Sequence, residues 1–240
     1  MRFAGSLLFT AILFLSVVPY SLVVIAARIF GERASFATAR IWAAAVIWLA
    51  KPLCGLSYRV EGRENIPAQN GVVLIKHSSA YETLVQFLLF PRQCWVLKRE
   101  LMWAPFLGWA LATLHPIAIN RNAGRSAVEQ VIAQGTRRLN DGLWVMVFPE
   151  GTRMPPGETR RYGISGTLLA QRAGRLLVPV AHNAGDYWPR RGLRKRPGEV
   201  CFSIGPPVDP AGRELREVNE QVQDWIETRV AELRRETSPD

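Results

Sequence analysis

Hydrophobic residues are unevenly distributed along the 240-residue chain, and the longest apolar run lies near its beginning. Residues 3–27 contain no charged side chain, so they are long enough to form a helix that crosses a bilayer. A second apolar segment at 41–50 lies between Arg40 and Lys51 and is too short to span a membrane. Its tryptophans and flanking cations suit a helix in the membrane interface, and a core helix fits equally well.

The rest of the chain alternates short apolar runs with amphipathic stretches. Strands are predicted at 57–61, 72–75, 93–97, 116–119, 143–148, 176–181 and 200–204. Helices are predicted at 79–90, 126–139 and 164–173, and the spacing of Val218, Val222 and Ile226 predicts another near the C-terminus. The apolar segment 101–114 is either a helix or a loop, because Pro105 interrupts it.

Strands that alternate with helices predict an α/β fold with a mixed, partly parallel central sheet flanked by helices. The apolar N-terminal region predicts a membrane-associated helical segment before this sheet. We therefore expect an N-terminal membrane anchor and interfacial helix at residues 1–55 and an α/β domain at residues 56–240.

The polar residues that follow the predicted strand 72–75 carry the first chemical signal. His77 comes almost directly after this strand, and Glu82 follows five positions later. On a continuous helix this separation turns two side chains off one face, so they meet only if His77 lies in the turn before the helix. Ser78 or Ser79 could then cap that helix. A base oriented by an acid, with no obvious enzymic nucleophile beside it, can activate a hydroxyl brought by a substrate.

A second polar turn follows the predicted strand 143–148, which Pro149 ends. Gly151 permits a positive φ or a close backbone approach, and Thr152 offers a hydroxyl. Arg153 has a planar fork suited to phosphate. A strand-ending turn with a surface salt bridge is the structural alternative. Because ligands favour the carboxyl ends of strands in α/β proteins, we expect the two turns to meet at one site.

These motifs together resemble the glycerophosphate acyltransferase family, and in particular its 1-acyl-glycerol-3-phosphate acyltransferases. The resemblance covers about residues 60–208. The first family block is His-x4-Asp, and this chain has Glu82 where Asp is usual. The second block extends from 98–101 to 116–121, the third is 148–153 and the fourth is 178–183. Many relatives also have a lysine in a Phe/Tyr-Lys-x-Gly stretch after the third block, and the sequence Tyr162-Gly163 lacks it here.

The resemblance implies acyl transfer to the free hydroxyl of lysophosphatidic acid, which gives phosphatidic acid. His77 would take the proton of that hydroxyl as it attacks an acyl thioester, and Glu82 would orient the imidazole. Backbone amides near His77 are candidate donors for the oxyanion. A phosphate dianion needs several fixed donors, and the residues expected around it are Lys98, Arg121, Glu150, Gly151, Thr152 and Arg153. Glu150 is expected to orient Arg153 or a substrate hydroxyl.

Charge and composition favour an anionic partner. The formal net charge of +10 fits a phosphorylated substrate, an acidic acyl carrier protein or anionic membrane lipids, and no nucleic-acid motif accompanies it. The basic cluster at 190–196 could contact lipid headgroups or acyl carrier protein. The three cysteines and three histidines are scattered, so we expect no metal, no disulfide and structural roles for His115 and His182. No cofactor is expected, and acyl-CoA or acyl carrier protein would be the donor substrate.

Cations mark the expected side of the membrane. Four of them follow the first apolar run, namely Arg28, Arg33, Arg40 and Lys51. The positive-inside rule then predicts a bacterial inner-membrane protein with its catalytic domain on the cytoplasmic face. A signal peptide cleaved near 26–27 and a shallow hairpin in one leaflet are the alternatives.

Two other functions compete with acyl transfer to lysophosphatidic acid. One is an acyltransferase of the same fold that uses glycerol 3-phosphate, another lysophospholipid or an amino-acid lipid. The other is a non-catalytic basic adaptor at the membrane surface. The intact motifs around His77 and Arg153 argue against a decayed site.

Overall fold

A seven-stranded sheet forms the centre of the computed structural model, which describes residues 2–120 and 123–237. The strands are β1 (Leu56–Glu61), β2 (Val72–Ile75), β3 (Gln93–Lys98), β4 (Ile117–Ile119), β5 (Trp144–Val147), β6 (Leu177–His182) and β7 (Gly198–Ile204). Their order across the sheet is β1-β7-β6-β2-β5-β3-β4. Strands β6 and β7 pair antiparallel and the other neighbours pair parallel. The predicted mixed, partly parallel sheet is therefore confirmed.

Helices cover both faces of the sheet. They are α1 (Arg2–Ala27), α2 (Glu32–Cys54), α3 (Tyr81–Leu89), α4 (Leu107–Ala112), α5 (Arg125–Asn140), α6 (Ser165–Ala173), α7 (Ala184–Tyr187) and α8 (Leu215–Thr237). The ambiguous segment 101–114 divides around Pro105, because a 3₁₀ turn ends at Trp103 and α4 begins at Leu107. The short α7 has no counterpart among the predicted helices.

The alternation of side chains along β2 shows how the two layers are separated. Val73 and Ile75 belong to a hydrophobic cluster that also contains residues of α1, α2 and α3. Val72 and Leu74 belong to a second cluster with residues of α5, α6 and α8. Because successive strand residues point to opposite faces, one apolar strand supplies both clusters. The sheet is thus buried on both sides, as a largely parallel sheet requires.

Helices α1 and α2 form a hairpin that is docked on the first of these faces. The segments Phe3–Phe30 and Glu32–Cys54 are long and apolar enough to cross a membrane by length and composition alone. The expectation that the second segment is too short to span is corrected, because α2 extends well beyond 41–50 in both directions. Ala43 and Ala50 on its inner face are fully buried, whereas Trp48 is 71% exposed. The helix therefore has both a core face and an exposed apolar face.

Candidate active site

His77 lies in the turn between β2 and α3, as its separation from Glu82 predicts. Its Nδ1 lies 2.8 Å from Glu82 Oε1. A carboxylate only accepts hydrogen bonds, so Nδ1 carries the proton and Nε2 is left as the basic nitrogen. Ser79 also contributes to this turn, since its Oγ accepts the Tyr81 N–H at 3.0 Å. The base and its orienting acid are therefore assembled within six residues of the chain.

The Glu82 carboxylate is fully buried beneath this turn. Burial acts to raise its pKa, but the hydrogen bond from His77 and the nearby histidine rings act against burial, and the pKa is lowered from 4.5. Its Oε1 also accepts the N–H groups of Ser78 at 3.2 Å and Ser79 at 3.0 Å. Glu82 is therefore ionised near neutral pH and can stabilise an imidazolium on His77.

The backbone amides closest to His77 are already engaged by carboxylates. The His77 N–H donates to Glu150 Oε2 at 2.8 Å, and the next two amides donate to Glu82 as described above. An oxyanion needs donors that are free to point at it. The expectation that amides near His77 serve this purpose is thus wrong for residues 77–79.

The second polar turn meets the first, as expected from two strand ends on one sheet edge. Strands β2 and β5 are parallel neighbours, so their carboxyl ends lie side by side. The Phe148 ring stacks on the His77 ring with 4.0 Å between centroids, and the Met154 N–H donates to the His77 carbonyl at 2.8 Å. Gly151 has a φ of 69°, which is the left-handed region that favours glycine. The turn after β5 thus holds the base from a second side.

Glu150 occupies a different position from the one expected. Its side chain is fully buried, and its two oxygens accept hydrogen bonds from Lys76 Nζ and the His77 N–H, both at 2.8 Å. Burial raises the pKa of this carboxyl, and Lys76 acts in the opposite direction. The sequence predicts that Glu150 lies at the substrate phosphate and orients Arg153 or a substrate hydroxyl. In the structure its carboxylate instead accepts from Lys76 and from the His77 backbone.

A mainly apolar cavity of about 330 Å³ lies beside His77. Helices α1, α2, α3 and α4 and strand β3 form most of its wall. Its apolar lining includes Val17, Val24, Ala39, Leu84, Phe87, Trp95, Leu107, Ala110, Leu111 and Leu114. His77, Phe148 and Arg153 also line it. The arrangement places a histidine base and an arginine against a space that suits a hydrocarbon chain.

The predicted phosphate-binding cations are spread unequally around this cavity. Arg153 lines it, and the Arg153 Nε is buried without a hydrogen-bond partner among the described residues. Lys98 ends β3, two strands from β2, which corresponds to about 10 Å across the sheet. Its side chain is 52% exposed and lies 3.6 Å from Glu100. Thr152 is half-buried in the turn that carries Arg153. Arg121 lies outside the described residues.

The other two histidines have structural partners. His182 is fully buried, where its Nε2–H donates to the Lys76 carbonyl at 2.7 Å and its Nδ1 accepts the Ala184 N–H at 3.2 Å. Burial lowers its pKa from 6.5, so the ring is neutral at pH 7. His115 Nε2 lies 2.8 Å from Glu32 Oε1 and connects α2 to the segment before β4.

Comparison with known proteins shows the family of the chain. A model of the family described as Acyltransferase matches residues 57–183. A Pseudomonas aeruginosa protein named 1-acyl-sn-glycerol-3-phosphate acyltransferase is 43% identical over 195 residues, which cover 80% of this chain and 76% of that protein. A Haemophilus influenzae protein of the same name is 28% identical over 196 residues, covering 76% and 78%.

A solved structure shares the fold. The crystal structure of the 1-acyl-sn-glycerophosphate (LPA) acyltransferase from Thermotoga maritima superposes with a TM-score of 0.81 at 23% identity, and the match covers 100% of this chain and 98% of that one. The similarity therefore includes the α1–α2 hairpin as well as the sheet. With a family match over more than half of its length and a relative at 43% identity, the chain belongs to the acyltransferase family, among the 1-acyl-sn-glycerol-3-phosphate acyltransferases.

Proposed function

We propose that this protein transfers an acyl chain from an acyl thioester to the free hydroxyl of lysophosphatidic acid, which gives phosphatidic acid for phospholipid biosynthesis. The observation that carries this proposal is the His77–Glu82 pair, with a 2.8 Å hydrogen bond, in the wall of an apolar cavity that Arg153 also lines. Similarity to the Pseudomonas aeruginosa acyltransferase supports the same reaction.

The reaction follows from the tautomer of His77. Its Nε2 takes the proton of the acceptor hydroxyl as that oxygen forms a bond to the thioester carbonyl carbon. Collapse of the tetrahedral intermediate breaks the carbon–sulfur bond, and the imidazolium returns its proton to the leaving thiolate. Glu82 stays ionised throughout and stabilises the imidazolium, as its low pKa allows. The acyl chain passes directly from donor to acceptor.

The surroundings of His77 suit both ends of a lysophospholipid. Arg153 binds the phosphate, together with Thr152 and the turn at Gly151, because a guanidinium fork matches phosphate oxygens. Lys98, at the end of β3, is a further cation for the same group. Arg121, which follows β4 in the sequence, is proposed as another. The apolar cavity takes an acyl chain. Glu150 acts indirectly in this scheme, by holding the His77 backbone.

The α1–α2 hairpin associates the enzyme with a membrane. Phe14 and Leu15 of α1 are 70% and 76% exposed, and a bilayer would cover such an apolar face. Ser6 and Phe9 near the start of α1 and Ser21 and Val24 near its end are buried. We infer that a helix packed against the protein near both of its ends stays with the catalytic domain, so that the hairpin enters one leaflet. The cations that follow α1 favour the cytoplasmic face.

The test is acyl transfer by purified protein in detergent. Release of thiol from acyl-CoA or acyl carrier protein would be followed with and without lysophosphatidic acid, beside His77→Ala. We expect release that depends on the acceptor and falls by about 100- to 10,000-fold in the variant. Release of equal size in His77→Ala would remove the histidine from the mechanism.

Two further arms assign the acid and the acceptor. Glu82→Asp should keep part of the activity and Glu82→Ala should lose most of it, since only the first retains an orienting carboxylate. Glycerol 3-phosphate and a lysophospholipid without a terminal phosphate are compared as acceptors. Preference for either over lysophosphatidic acid would contradict the proposed acceptor.

A further inference from the structure

A buried lysine lies directly before the catalytic base. The Lys76 side chain is only 3% exposed, and its Nζ is surrounded by acceptors from three segments of the chain. These are Glu150 Oε1 at 2.8 Å, both carboxylate oxygens of Glu227 at 2.9 Å, and the Glu158 carbonyl at 2.9 Å. Burying an ammonium group this deeply is costly unless acceptors surround it in this way.

The backbone of Lys76 and His77 is held by hydrogen bonds to the groups around this lysine and to neighbouring residues. Glu150 uses one oxygen for Lys76 Nζ and the other for the His77 N–H. The Lys76 carbonyl accepts from His182, and the His77 carbonyl accepts from the Met154 N–H. A shift of the Glu150 carboxylate would therefore release the backbone of the base itself.

The outermost member of the cluster comes from the C-terminal helix. Glu227 lies on α8, its side chain is 22% exposed, and the Tyr162 hydroxyl donates to its Oε1 at 2.6 Å. Glu227 lies outside the part of the chain that the family model matches, which ends at residue 183. Tyr162 begins the Tyr162-Gly163 stretch in which this chain lacks the lysine that many relatives carry in Phe/Tyr-Lys-x-Gly. The structure thus brings a carboxylate to the back of the site from 151 positions away in the sequence.

We propose that Glu227 and Tyr162 are positioning residues for the acyl transfer, which act on His77 through Lys76 and Glu150. The inference rests on the proposed function of His77 as the base. Glu227 keeps Lys76 Nζ in place, Lys76 keeps the Glu150 carboxylate beneath the turn, and Glu150 holds the His77 N–H. Helix α8 thereby sets where the imidazole stands relative to the acceptor hydroxyl.

The expected effect is on turnover and not on acceptor binding. A displacement of about 1 Å in a reacting group can cost about 100-fold in rate. Arg153, which is proposed to bind the phosphate, makes no hydrogen bond or ion pair with Glu227 in the described part of the chain. We therefore expect Glu227→Ala to lower kcat by about 10- to 100-fold with an unchanged KM for lysophosphatidic acid. Glu227→Gln, which can still accept from Lys76 and Tyr162, should recover much of this loss.

The experiment measures kcat and acceptor KM in detergent, well below the unfolding temperature of each variant. Asp224→Ala is the matched control, because Asp224 is an exposed acid on the same helix, three residues before Glu227. It should behave like the wild type. Tyr162→Phe removes only one hydroxyl, so it repeats the test with a smaller loss if Glu227→Ala is not recovered as folded protein.

A double variant with Glu150→Gln separates this route from a general loss of packing. If Glu227 acts through Glu150, the two losses in kcat should be far from multiplicative. Multiplicative losses, an unchanged kcat in Glu227→Ala, or an equal fall in Asp224→Ala would each overturn the proposal. The wild type and His77→Ala are measured in the same assay. An inactive wild type or an active His77→Ala would contradict the proposed function itself and not only the role of Glu227.

Discussion

The α1–α2 hairpin and α8 cover opposite faces of the same sheet with different outer surfaces. Both are long helical elements, and both bury an apolar stripe in the sheet. The outer side of α8 carries ion pairs such as Arg216–Glu220 at 2.8 Å, whereas that of the hairpin exposes Leu15 and Trp48. The inner faces of both elements are apolar because they pack on the sheet. The polarity of the outer faces differs because they meet different surroundings.

The two regions also contribute differently to the site. The hairpin supplies cavity wall, through residues such as Ala39 and Val24, and so shapes the space for a chain. Helix α8 supplies Glu227, which reaches the base only through Lys76. In the proposed scheme, the hairpin therefore influences which substrate fits, and α8 influences how His77 is positioned.

The largest expected effect is a loss of stability, caused by a substitution on the inner face of α8. Ile226 is fully buried, so Ile226→Ala should lower the free energy of unfolding by about 2–5 kcal/mol. Leu15→Ala is the matched change on an exposed face and should alter it little in detergent. Thermal unfolding followed by tryptophan fluorescence measures both. Equal destabilisation by the two substitutions would contradict the difference in burial between Ile226 and Leu15.

The outer faces are compared next by membrane binding. Replacing Phe14 and Leu15 together by serine should weaken binding to vesicles by at least about 10-fold, since each apolar side chain contributes about 1.5–3 kcal/mol when fully buried in an apolar medium. Arg216→Ser with Glu220→Ser on α8 should leave it unchanged. Cosedimentation with vesicles made of anionic and neutral phospholipids gives the measurement. Unchanged binding of the first variant would place the membrane contact elsewhere.

The cavity gives a smaller effect, on substrate choice. Ala39 lines the cavity from α2, so Ala39→Phe should fill part of it and reduce use of palmitoyl donors relative to decanoyl donors by about 10-fold, near the discrimination expected for one or two methylenes. Ile41→Phe on the same helix is the control, because Ile41 is 63% exposed. A chain-length preference equal in the two variants would dissociate the hairpin from substrate fit.

The smallest expected effect is on the pH dependence of stability, through His182 at the end of β6. Its pKa is lowered by burial, so below pH 6.5 the unfolded chain binds a proton that the folded protein does not. Stability should therefore fall as the pH decreases from 7 through 6.5 toward the folded pKa. His182→Gln cannot titrate and should flatten this slope, as measured by the unfolding temperature at several pH values. A slope identical to that of the wild type would assign the dependence to other groups.

The local parts of the site could be predicted from the sequence, because the information lies within a few residues. The apolar run before His77 and the acid five positions later require a strand, a turn and a helix, and this is what forms. Gly151 likewise adopts the positive φ that its residue type permits. The meeting of the two turns followed from the general behaviour of parallel strands. The local periodicity of apolar residues was also enough to predict the fold class.

Burial and long-range pairing could not be predicted in this way. A glutamate in a turn looks the same in sequence whether it faces solvent or, like Glu150, lies under a neighbouring strand end. The expected roles of Glu150 and of the amides at 77–79 changed for this reason. Glu227 carries no local signal, since an acid beside the apolar stripe of an amphipathic helix is ordinary.

The sequence by itself therefore determined the α/β alternation, the His77–Glu82 turn and the apolar character of the N-terminal region, since each depends on periodicity or on contacts a few residues apart. Only the tertiary structure decided that Lys76 would join Glu150, 74 positions away, and Glu227, 151 positions away. It also decided that the hairpin would close a cavity beside the base. Desolvation is the physical reason, because buried charges must find partners wherever the fold brings them, at any distance along the chain.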